Sequence, residues 1–532
     1  MTDDGAIGID LVTRNALCAC MKDARPVIIP NRWGRASTPS VVGWDKGWVV
    51  GEDAVRLSLR GSCPIWWDIK RKVGSDFRAL CGEKTYTAQD ILVPLLCALR
   101  EDAEVFLGRF VSSCVLAVPA CFSLLQREAM TWAAKRAGLR EVRVVSEPTA
   151  AALAFGRKGR FLVLDFGAGT VDISVVESEG GVWQVLESVG SDKVGGYDFD
   201  LALAEWLRER LRFNLLPPED PRWRALVLEA ESIKIALSSC QSYDWTPPAL
   251  GASSSVTQIR RLDYGLGSIR IEREDLERLT RFSIRRLIHA VRKLWERHEP
   301  EHLLLVGGSS RIPLLREILE REIARPERLS LCAEESIATG AALYTQRRED
   351  RLLLDVLSGD IGFLRNGENQ ILIPAGTPVP FTARATFFPG RSERMTLPIF
   401  QTIGGLREER TLLSTLELDV TEDEEVELCC VLSASGLMTV SLRHGNMVIE
   451  TSLFSLRYGD ENNFSTLSRS MSTSTQRLHG LKLRLASLEM LFSPGQSERL
   501  QDLVRRIETI EDDEASVEIL ENVVKELELV LP

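Results

Sequence analysis

Two short segments of this chain have the residue types that phosphoryl transfer requires. The reaction needs a cradle for phosphates, a metal held by carboxylates, a cation and a group that positions water. Asp165 and Asp172 flank a turn (the second turn) of small residues, whose backbone amides can approach phosphate oxygens: Gly167, Ala168, Gly169 and Thr170. The two aspartates can orient Mg²⁺ through water molecules. A glycine turn alone is common in hairpins, but two flanking aspartates favour a nucleotide phosphate site.

A similar turn (the first turn, Asp10–Asn15) follows the apolar run 7–11. The repeated order of strand, aspartate, turn and strand indicates a duplicated domain with two similar halves. Hydrophobic patterns predict buried strands at 7–11, 115–118, 161–164 and 303–306, and helices at 124–137, 198–212 and 310–323. This alternation predicts an α/β domain over residues 1–348.

The remainder of the chain changes character. The apolar run Leu352–Leu354 lies between charged residues, and flexible linkers are usually polar, so 349–356 is predicted to be an interdomain linker that docks on another surface. Short strands and turns predict an all-β domain at 357–458. Leucines at three- and four-residue spacing predict a small helical bundle within 459–532.

Further motifs occur in an order that resembles the heat-shock protein 70 family. They are Thr38-Pro39-Ser40, Lys70-Arg71, Val118-Pro119-Ala120, Glu147-Pro148-Thr149-Ala150, Gly195-Gly196 and the loop from Gly307 to Pro313. Related actin-like sugar kinases share the fold but not this whole set. The resemblance is dense over 6–346 and looser over 350–445. It implies an actin-like two-lobed ATPase domain, a β-sandwich substrate-binding domain and a short helical lid at 459–532, as in the shorter bacterial members.

The resemblance also implies a role for each catalytic candidate. Lys70 resembles the lysine that stabilises charge on the γ-phosphate of ATP and orients water. Glu147 and Asp172 resemble carboxylates that organise the attacking water. Asp10 and Asp165 resemble those that hold Mg²⁺ and K⁺, partly through water. Thr170, the last catalytic candidate, resembles a threonine near the γ-phosphate.

Nucleotide-binding residues are implied in the same way. Those near the phosphates are Val12, Thr13, Arg14, Gly167, Ala168, Gly169, Thr170, Gly195 and Gly196, and those around the adenosine of ATP or ADP are Glu231, Lys234, Ser238, Gly307, Gly308, Ser309, Arg311 and Ile312. Glu334 stands where the family has aspartate. Each residue alone has an ordinary structural explanation, such as a surface lysine or a helix cap, but together and in this order they favour the functional interpretation.

The first turn departs from the family at two positions. Val12 replaces a glycine and brings a β-branched side chain beside the phosphates, where loss of one amide–phosphate hydrogen bond would cost roughly 1.5–3 kcal/mol. Arg14 replaces a threonine and would either contact phosphate or point into solvent. The chain is therefore either a slow but working ATPase or a nucleotide-binding adaptor, like an exchange factor, with impaired hydrolysis. Because the other catalytic candidates remain, we favour the working ATPase.

The β-rich half favours a chaperone over an actin-like small-molecule kinase, which has no use for such a domain. Residues near the positions of the family's hydrophobic peptide groove are Ile361, Phe363, Phe387, Met395 and Leu397, although each would equally suit a sandwich core. The implied function is binding of extended hydrophobic segments of client proteins. ATP would control it through docking of Leu352, Leu353 and Leu354. The implied partners are a J-domain cochaperone and a nucleotide exchange factor.

The composition of the chain excludes some classes of partner and indicates the cellular compartment. The 65 basic and 76 acidic side chains give a net charge of −11, which disfavours nucleic acid and anionic membranes as partners, because both need a basic face. The amino terminus lacks the basic region of a secretory signal, and no run of about 18 apolar residues could span a bilayer. The eleven cysteines have no zinc-binding spacing and suit a reducing compartment. We therefore expect a cytoplasmic protein.

Overall fold

The computed structural model describes residues 6–59, 63–191, 194–211, 220–246, 268–327, 332–346, 352–365, 368–388, 394–403, 409–420, 425–433, 437–444 and 447–452. These residues form two compact units, one ending at Ser358 and the other beginning at Gly359. The lid predicted at 459–532 lies outside the described residues.

Strands and helices alternate through the first unit, as the sequence predicts. Its strands are β1 (Ile7–Leu11), β2 (Asn15–Lys22), β3 (Arg25–Ile28), β4 (Ser37–Pro39), β5 (Val42–Trp44), β6 (Trp48–Val50), β7 (Ile65–Trp66), β8 (Arg78–Cys81), β9 (Lys84–Thr87), β10 (Ser113–Val118), β11 (Glu141–Ser146), β12 (Gly159–Phe166), β13 (Val171–Glu179), β14 (Val182–Ser191), β15 (Ser242–Trp245), β16 (Ile269–Glu272), β17 (His302–Val306) and β18 (Leu352–Val356). Its helices are α1 (Glu52–Ser58), α2 (Ala88–Leu107), α3 (Leu124–Arg136), α4 (Glu147–Phe155), α5 (Gly196–Arg210), α6 (Pro221–Leu237), α7 (Arg273–His298), α8 (Pro313–Glu322) and α9 (Ser336–Thr345), with 3₁₀ turns at Ile69–Lys72 and Gly308–Arg311. None of the described helices combines the length and the apolar composition needed to cross a membrane.

The elements predicted from the hydrophobic pattern are confirmed, with shifted ends. The strands predicted at 7–11, 115–118, 161–164 and 303–306 are β1 and parts of β10, β12 and β17. The helix predicted at 310–323 begins only at Pro313. The residues before it form a 3₁₀ turn, and the fixed φ of proline suits the first turn of a helix.

Two equivalent sheets support the first unit. In the first sheet, which contains the strand order β11-β10-β1-β2-β3, β1 is antiparallel to β2 and parallel to β10. In the second, which contains β17-β12-β13-β14-β18, β12 is antiparallel to β13 and parallel to β17. Each sheet therefore presents a hairpin of strand, aspartate, turn and strand beside a parallel strand, which is the arrangement expected of a duplicated domain.

Small residues let α9 pack closely against α4 and onto the first sheet. A Cβ added at Gly340 of α9 would lie 1.8 Å from the carbonyl oxygen of Ala150 in α4. One added at Gly8 of β1 would lie 2.3 Å from the amide nitrogen of Ala342 in α9. No larger side chain fits at either glycine, so this packing fixes strand β1 relative to the helix that begins at Glu147.

The predicted linker residues Leu352–Leu354 begin β18, which pairs in parallel with β14 of the second sheet. The side chain of Val356 is buried in the core between the sheets and helices. Asp355 forms an ion pair with Arg127 of α3, with 2.9 Å between Oδ2 and Nη1. This segment therefore belongs to the first unit.

The second unit is all-β in its described residues, as predicted. Its strands are β19 (Asp360–Arg365), β20 (Glu368–Ile373), β21 (Pro378–Val379), β22 (Phe381–Phe387), β23 (Arg394–Ile403), β24 (Glu409–Asp419), β25 (Val426–Leu432), β26 (Met438–His444) and β27 (Met447–Ser452). Apart from β21, they form two antiparallel sheets with the orders β20-β19-β23-β24 and β22-β25-β26-β27. Buried and more exposed residues alternate along β25 and β26, as expected where one face of a sheet meets a core.

Candidate active site

Asp10 and Asp165 occupy equivalent positions in the two sheets. Each is the next-to-last residue of its strand, β1 or β12, and each precedes a turn into the antiparallel neighbour. Asp172 lies directly opposite Asp165 in the register of β12 and β13. The three side chains are buried, and the charges of Asp10 and Asp172 both act on Asp165. The fold therefore brings the three predicted aspartates together.

Lys70 and Glu147 form a buried ion pair beside these aspartates. Lys70 lies in a 3₁₀ turn and Glu147 is the first residue of α4; Nζ and Oε1 are 2.9 Å apart, and each side chain is 4% exposed. Burial alone would lower the pKa of Lys70, but the carboxylates of Glu147 and Asp10 raise it above its ordinary value. Lys70 therefore carries a positive charge at neutral pH.

The aspartates have little compensating positive charge. Burial, and then the charge of Glu147, raise the pKa of Asp10 well above its usual range, and the same causes act on Asp165. Burial and Glu147 also raise the pKa of Asp172 to about 7, although the backbone amide of Cys121 donates to its Oδ1 at 2.8 Å. The site therefore favours either added protons or an added cation.

These residues fit a hydrated divalent cation. Both carboxylate oxygens of Asp10, and Oδ2 of Asp172, are buried without a hydrogen-bond partner among the described residues, and such atoms are costly unless something satisfies them. In the described parts of the chain, no three His, Cys, Asp or Glu side chains are placed to bind a metal ion directly. Because Mg²⁺ commonly keeps several waters, we expect Asp10 and Asp165 to hold it through water.

The second turn packs closely against the first turn and against the start of α5. The carbonyl oxygen of Gly167 accepts a hydrogen bond from the hydroxyl of Ser309 at 2.9 Å. A Cβ added at Gly169 would lie 2.1 Å from Oγ1 of Thr13 in the first turn, and one added at Gly195 would lie 2.2 Å from a backbone carbonyl oxygen of the second turn. Glycine is therefore required at both positions, and the two turns approach each other directly.

Val12 is accommodated in the first turn without a left-handed backbone. Its φ is not positive, so the replacement of glycine by valine does not force a conformation that a β-branched residue avoids. Ser40 braces this turn: its hydroxyl donates to the carbonyl oxygen of Val12 at 2.6 Å, and its amide donates to that of Arg14 at 2.8 Å. The Thr38-Pro39-Ser40 motif thus has a structural role that sequence analysis did not assign.

Arg14 does not point into solvent, which was one of the two orientations expected. Its side chain is 8% exposed and reaches α6, where Nε donates to Oε1 of Glu231 at 3.2 Å and Nη2 donates to Oε2. The guanidinium lies 4.9 Å from the ring centroid of Trp67 and 5.5 Å from that of Tyr197. Burial alone would raise the pKa of Glu231, but the positive charge of Arg14 lowers this pKa below its usual range.

The adenosine candidates on α6 are tied to α5. Lys234 donates from Nζ to the carbonyl oxygen of Gly196 at 3.0 Å and pairs with the buried Asp200, with 2.7 Å between Nζ and Oδ1. Burial raises the pKa of Asp200 to about 6 although Lys234 opposes the shift. The hydroxyl of Ser238 donates to the carbonyl oxygen of Lys234 in its own helix.

The loop after β17 carries the other adenosine candidates. Gly307 has a φ of 77°, and a Cβ there would lie 2.7 Å from Oδ1 of Asp165, so the loop touches the cluster of buried aspartates. Arg311 and Glu334 form an ion pair (2.7 Å) on the exposed side of the loop. The side chain of Ile312 belongs to the hydrophobic core.

Three residues that shape this site were not predicted from the sequence. Asp200 follows the Gly195-Gly196 motif closely in the sequence but was given no role, and it proves to be the buried partner of Lys234. Trp67 and Tyr197 flank Arg14, and no sequence signal separates them from ordinary aromatic core residues. The ring N–H of Trp67 is buried without an acceptor among the described residues.

The peptide-groove candidates lie on β19, β22 and β23 of the second unit. Ile361, Phe363, Phe387 and Leu397 are buried, and Met395 is half-buried. Phe363 and Phe387 come from different sheets and stack, with 5.7 Å between ring centroids. This is the packing expected of a sandwich core, and the assignment of these residues to a peptide groove stays a prediction.

Comparisons with known proteins establish the family. The model of the Hsp70 protein family matches residues 6–81 and 78–446. The chaperone protein DnaK of Mesomycoplasma hyopneumoniae (strain J) is 30% identical over 472 residues, which cover 83% of this chain and 77% of that protein. The DnaK of Mycoplasmopsis pulmonis (strain UAB CTIP) is 31% identical over 469 residues with the same coverage. This chain belongs to the Hsp70 family.

More specifically, the chain is a DnaK-type member of that family. It is an ATP-dependent chaperone with the ATP hydrolase activity of an Hsp70 protein. Nucleotide binding with Mg²⁺ and binding of client proteins follow from this membership. The family architecture combines an actin-like ATPase domain, a β-sandwich substrate-binding domain and a helical lid.

Proposed function

We propose that Lys70, Glu147, Asp10, Asp165 and Asp172 form the ATPase centre that drives the chaperone cycle of this chain. The buried ion pair of Lys70 and Glu147 carries the proposal. Apolar residues of similar volume would stabilise the fold at least as well as a buried ion pair does. A buried ion pair that lies among further carboxylates is therefore better explained by a catalytic role than by stability.

Each residue of this centre has a chemical role. Lys70 would stabilise negative charge on the transferred phosphoryl group. Glu147 and Asp172 would orient the attacking water, and Asp172, whose pKa burial raises to about 7, is matched to accept a proton near neutral pH. Asp10 and Asp165 would hold Mg²⁺ and K⁺, and bound Mg²⁺ would neutralise charge on the phosphates.

We assign the phosphates of ATP and ADP to the first and second turns, and the adenosine to α6 and the loop 307–312; together these form the nucleotide cleft. The glycine requirement at Gly169 and Gly195 supports this assignment, because it lets the first turn, the second turn and the start of α5 come together. Lys234 and Glu231 supply polar groups on the α6 side.

ATP would control peptide release through β18. Its backbone pairs with β14, and Asp355 pairs with Arg127, so the segment has contacts that one nucleotide state could keep and another release. We propose that it docks in the ATP state and is freed after hydrolysis. Leu353 lies opposite Trp183 in this pairing, and Leu353→Asp should leave peptide release insensitive to ATP. Unchanged ATP-driven release in that variant would count against this coupling.

The second unit would bind extended hydrophobic segments of client proteins through β19, β22 and β23. A J-domain cochaperone and a nucleotide exchange factor are the proposed partners, and the cytoplasm is the proposed compartment. The proposed domain limits are 1–348 for the ATPase, 349–356 for the linker, 357–458 for the β domain and 459–532 for the lid.

Single-turnover ATP hydrolysis with Mg²⁺ and K⁺ tests the ATPase centre. The wild-type chain should hydrolyse ATP without an added acceptor, and Lys70→Ala should slow the reaction roughly 10²–10³-fold, the scale for losing one preorganised electrostatic contact. Lys72→Ala is the matched control, because Lys72 lies in the same 3₁₀ turn but faces the ring of Phe77 at 4.8 Å. Wild-type rates in Lys70→Ala would contradict the assignment. Tight ATP binding without hydrolysis in the wild type would instead support the adaptor.

A further inference from the structure

Arg14 and Glu231 join the first turn to α6 across the nucleotide cleft. The guanidinium holds the carboxylate through two hydrogen bonds, with Nε 3.2 Å from Oε1 and Nη2 donating to Oε2. This bidentate arrangement is the firmest way in which arginine holds a carboxylate. Glu231 is also the carboxylate that we assign to adenosine, so Arg14 and a bound nucleoside compete for it.

The surroundings of Arg14 suit a ligand with oxygen acceptors. The guanidinium lies near the rings of Trp67 (4.9 Å) and Tyr197 (5.5 Å), an arrangement that favours a cation at this place whatever its anionic partner is. The buried ring N–H of Trp67 has no acceptor among the described residues. A buried donor of this kind needs an acceptor, which an oxygen of a ligand or of a water molecule can supply.

Charge decides which ligands can displace the pair. A nucleoside that takes Glu231 would leave the buried guanidinium of Arg14 without its hydrogen-bonded anion, which is strongly unfavourable. The carboxylate of Asp200 also acts on Arg14, but it is already paired with Lys234. A nucleotide brings its own anion, which can replace the carboxylate that Arg14 gives up. Arginine matches phosphate geometry as well as it matches carboxylate geometry.

We propose that Arg14 is a specificity-determining residue of the nucleotide cleft, which pairs with Glu231 in the nucleotide-free chain and exchanges that carboxylate for a phosphate group of ADP or ATP. The inference rests on the proposed nucleotide site. As a consequence, the ratio of the affinities for ADP and for adenosine should be larger than contacts of the phosphates with the first and second turns alone would give. A threonine at position 14 could not form an ion pair with either Glu231 or a phosphate group, since it carries no charge.

Calorimetric titration of the full-length chain with ADP and with adenosine tests this exchange. Arg14→Thr should lower the preference for ADP over adenosine, measured as the ratio of their dissociation constants, roughly 10- to 100-fold, because ADP loses one charge-assisted contact, whereas the release of Glu231 favours both ligands equally. Arg160→Thr is the matched control: Arg160 pairs with Glu177 at 2.6 Å, at the end of β12 away from Asp165. Both affinities of that variant should equal those of the wild type.

Glu231→Gln provides an independent test if Arg14→Thr does not fold, as judged by circular dichroism. This variant releases Arg14 while keeping it in the cleft, so adenosine binding should weaken more than ADP binding. Equal changes in affinity for the two ligands in the folded variants would overturn the inference, as would a stronger preference for ADP in Arg14→Thr. If the wild type binds neither ligand, the nucleotide site itself is wrong, which is a different failure.

Discussion

The ion pair of Arg127 and Asp355 should control whether the segment 352–356 stays on the first unit. The two side chains are 6% and 17% exposed, and Nη1 lies 2.9 Å from Oδ2. Asp355→Arg would place a second cation against Arg127, which also donates to the carbonyl oxygen of Ala120 at 3.4 Å. The guanidinium would then lose its anion while remaining largely out of water.

The magnitude follows from this burial. Breaking a fully buried pair costs roughly 3–5 kcal/mol, and because Asp355 retains some exposure we expect about 2–3 kcal/mol. At about 1.4 kcal/mol per factor of ten, the open population of β18 should rise roughly 30- to 150-fold. The remaining contacts of the segment, its pairing with β14 and the buried Val356, are unchanged by the substitution.

Hydrogen exchange of the amides in 352–356, measured on the full-length chain, reports this opening. Asp355→Arg and Arg127→Asp should each speed hydrogen exchange. The double variant, in which Arg127→Asp and Asp355→Arg swap the two charges, should restore much of the protection. Arg384→Asp is a control that reverses one member of the exposed pair with Glu427 in the second unit. Unchanged exchange in the single variants, or a double variant with effects that simply add, would refute the reasoning.

Three further predictions test other parts of the structure. Gly195→Ala should abolish measurable ATP binding in calorimetry, because its Cβ would lie 2.2 Å from a backbone carbonyl oxygen, whereas Gly47→Ala, with no described atom within 4 Å, should bind as the wild type does. Burial raises the pKa of Asp200 to about 6, so the folded chain binds a proton at Asp200 more tightly than the unfolded chain does. The unfolding free energy of the wild type, relative to that of Asp200→Asn, should therefore fall by up to about 3 kcal/mol as the pH rises from about 4 to about 6. Urea unfolding measures this difference, and a pH profile of Asp200→Asn that runs parallel to that of the wild type would contradict it. Phe363→Ala should lower the unfolding free energy by about 3–5 kcal/mol, because Phe363 is 2% exposed and stacks on Phe387; unchanged stability with lost peptide binding would favour the groove.

The local sequence pattern determined the core strands, the candidate phosphate turns and the family of this protein. The apolar runs at 7–11 and 161–164 predict strands because side-chain burial follows the period of the backbone, and that needs no distant partner. The aspartates and glycines of the first and second turns predict a phosphate site because turn chemistry is also local. The order of these motifs along the chain was enough to indicate the family.

Tertiary structure decided what depends on residues far apart in the chain. Arg14 points at Glu231, 217 residues away, and Lys70 pairs with Glu147, 77 residues away; neither partner can be chosen from spacing alone. The pKa of Asp172 depends on desolvation by the surrounding fold. Burial and charge are summed over all neighbours in space, and a linear sequence does not state which neighbours those are.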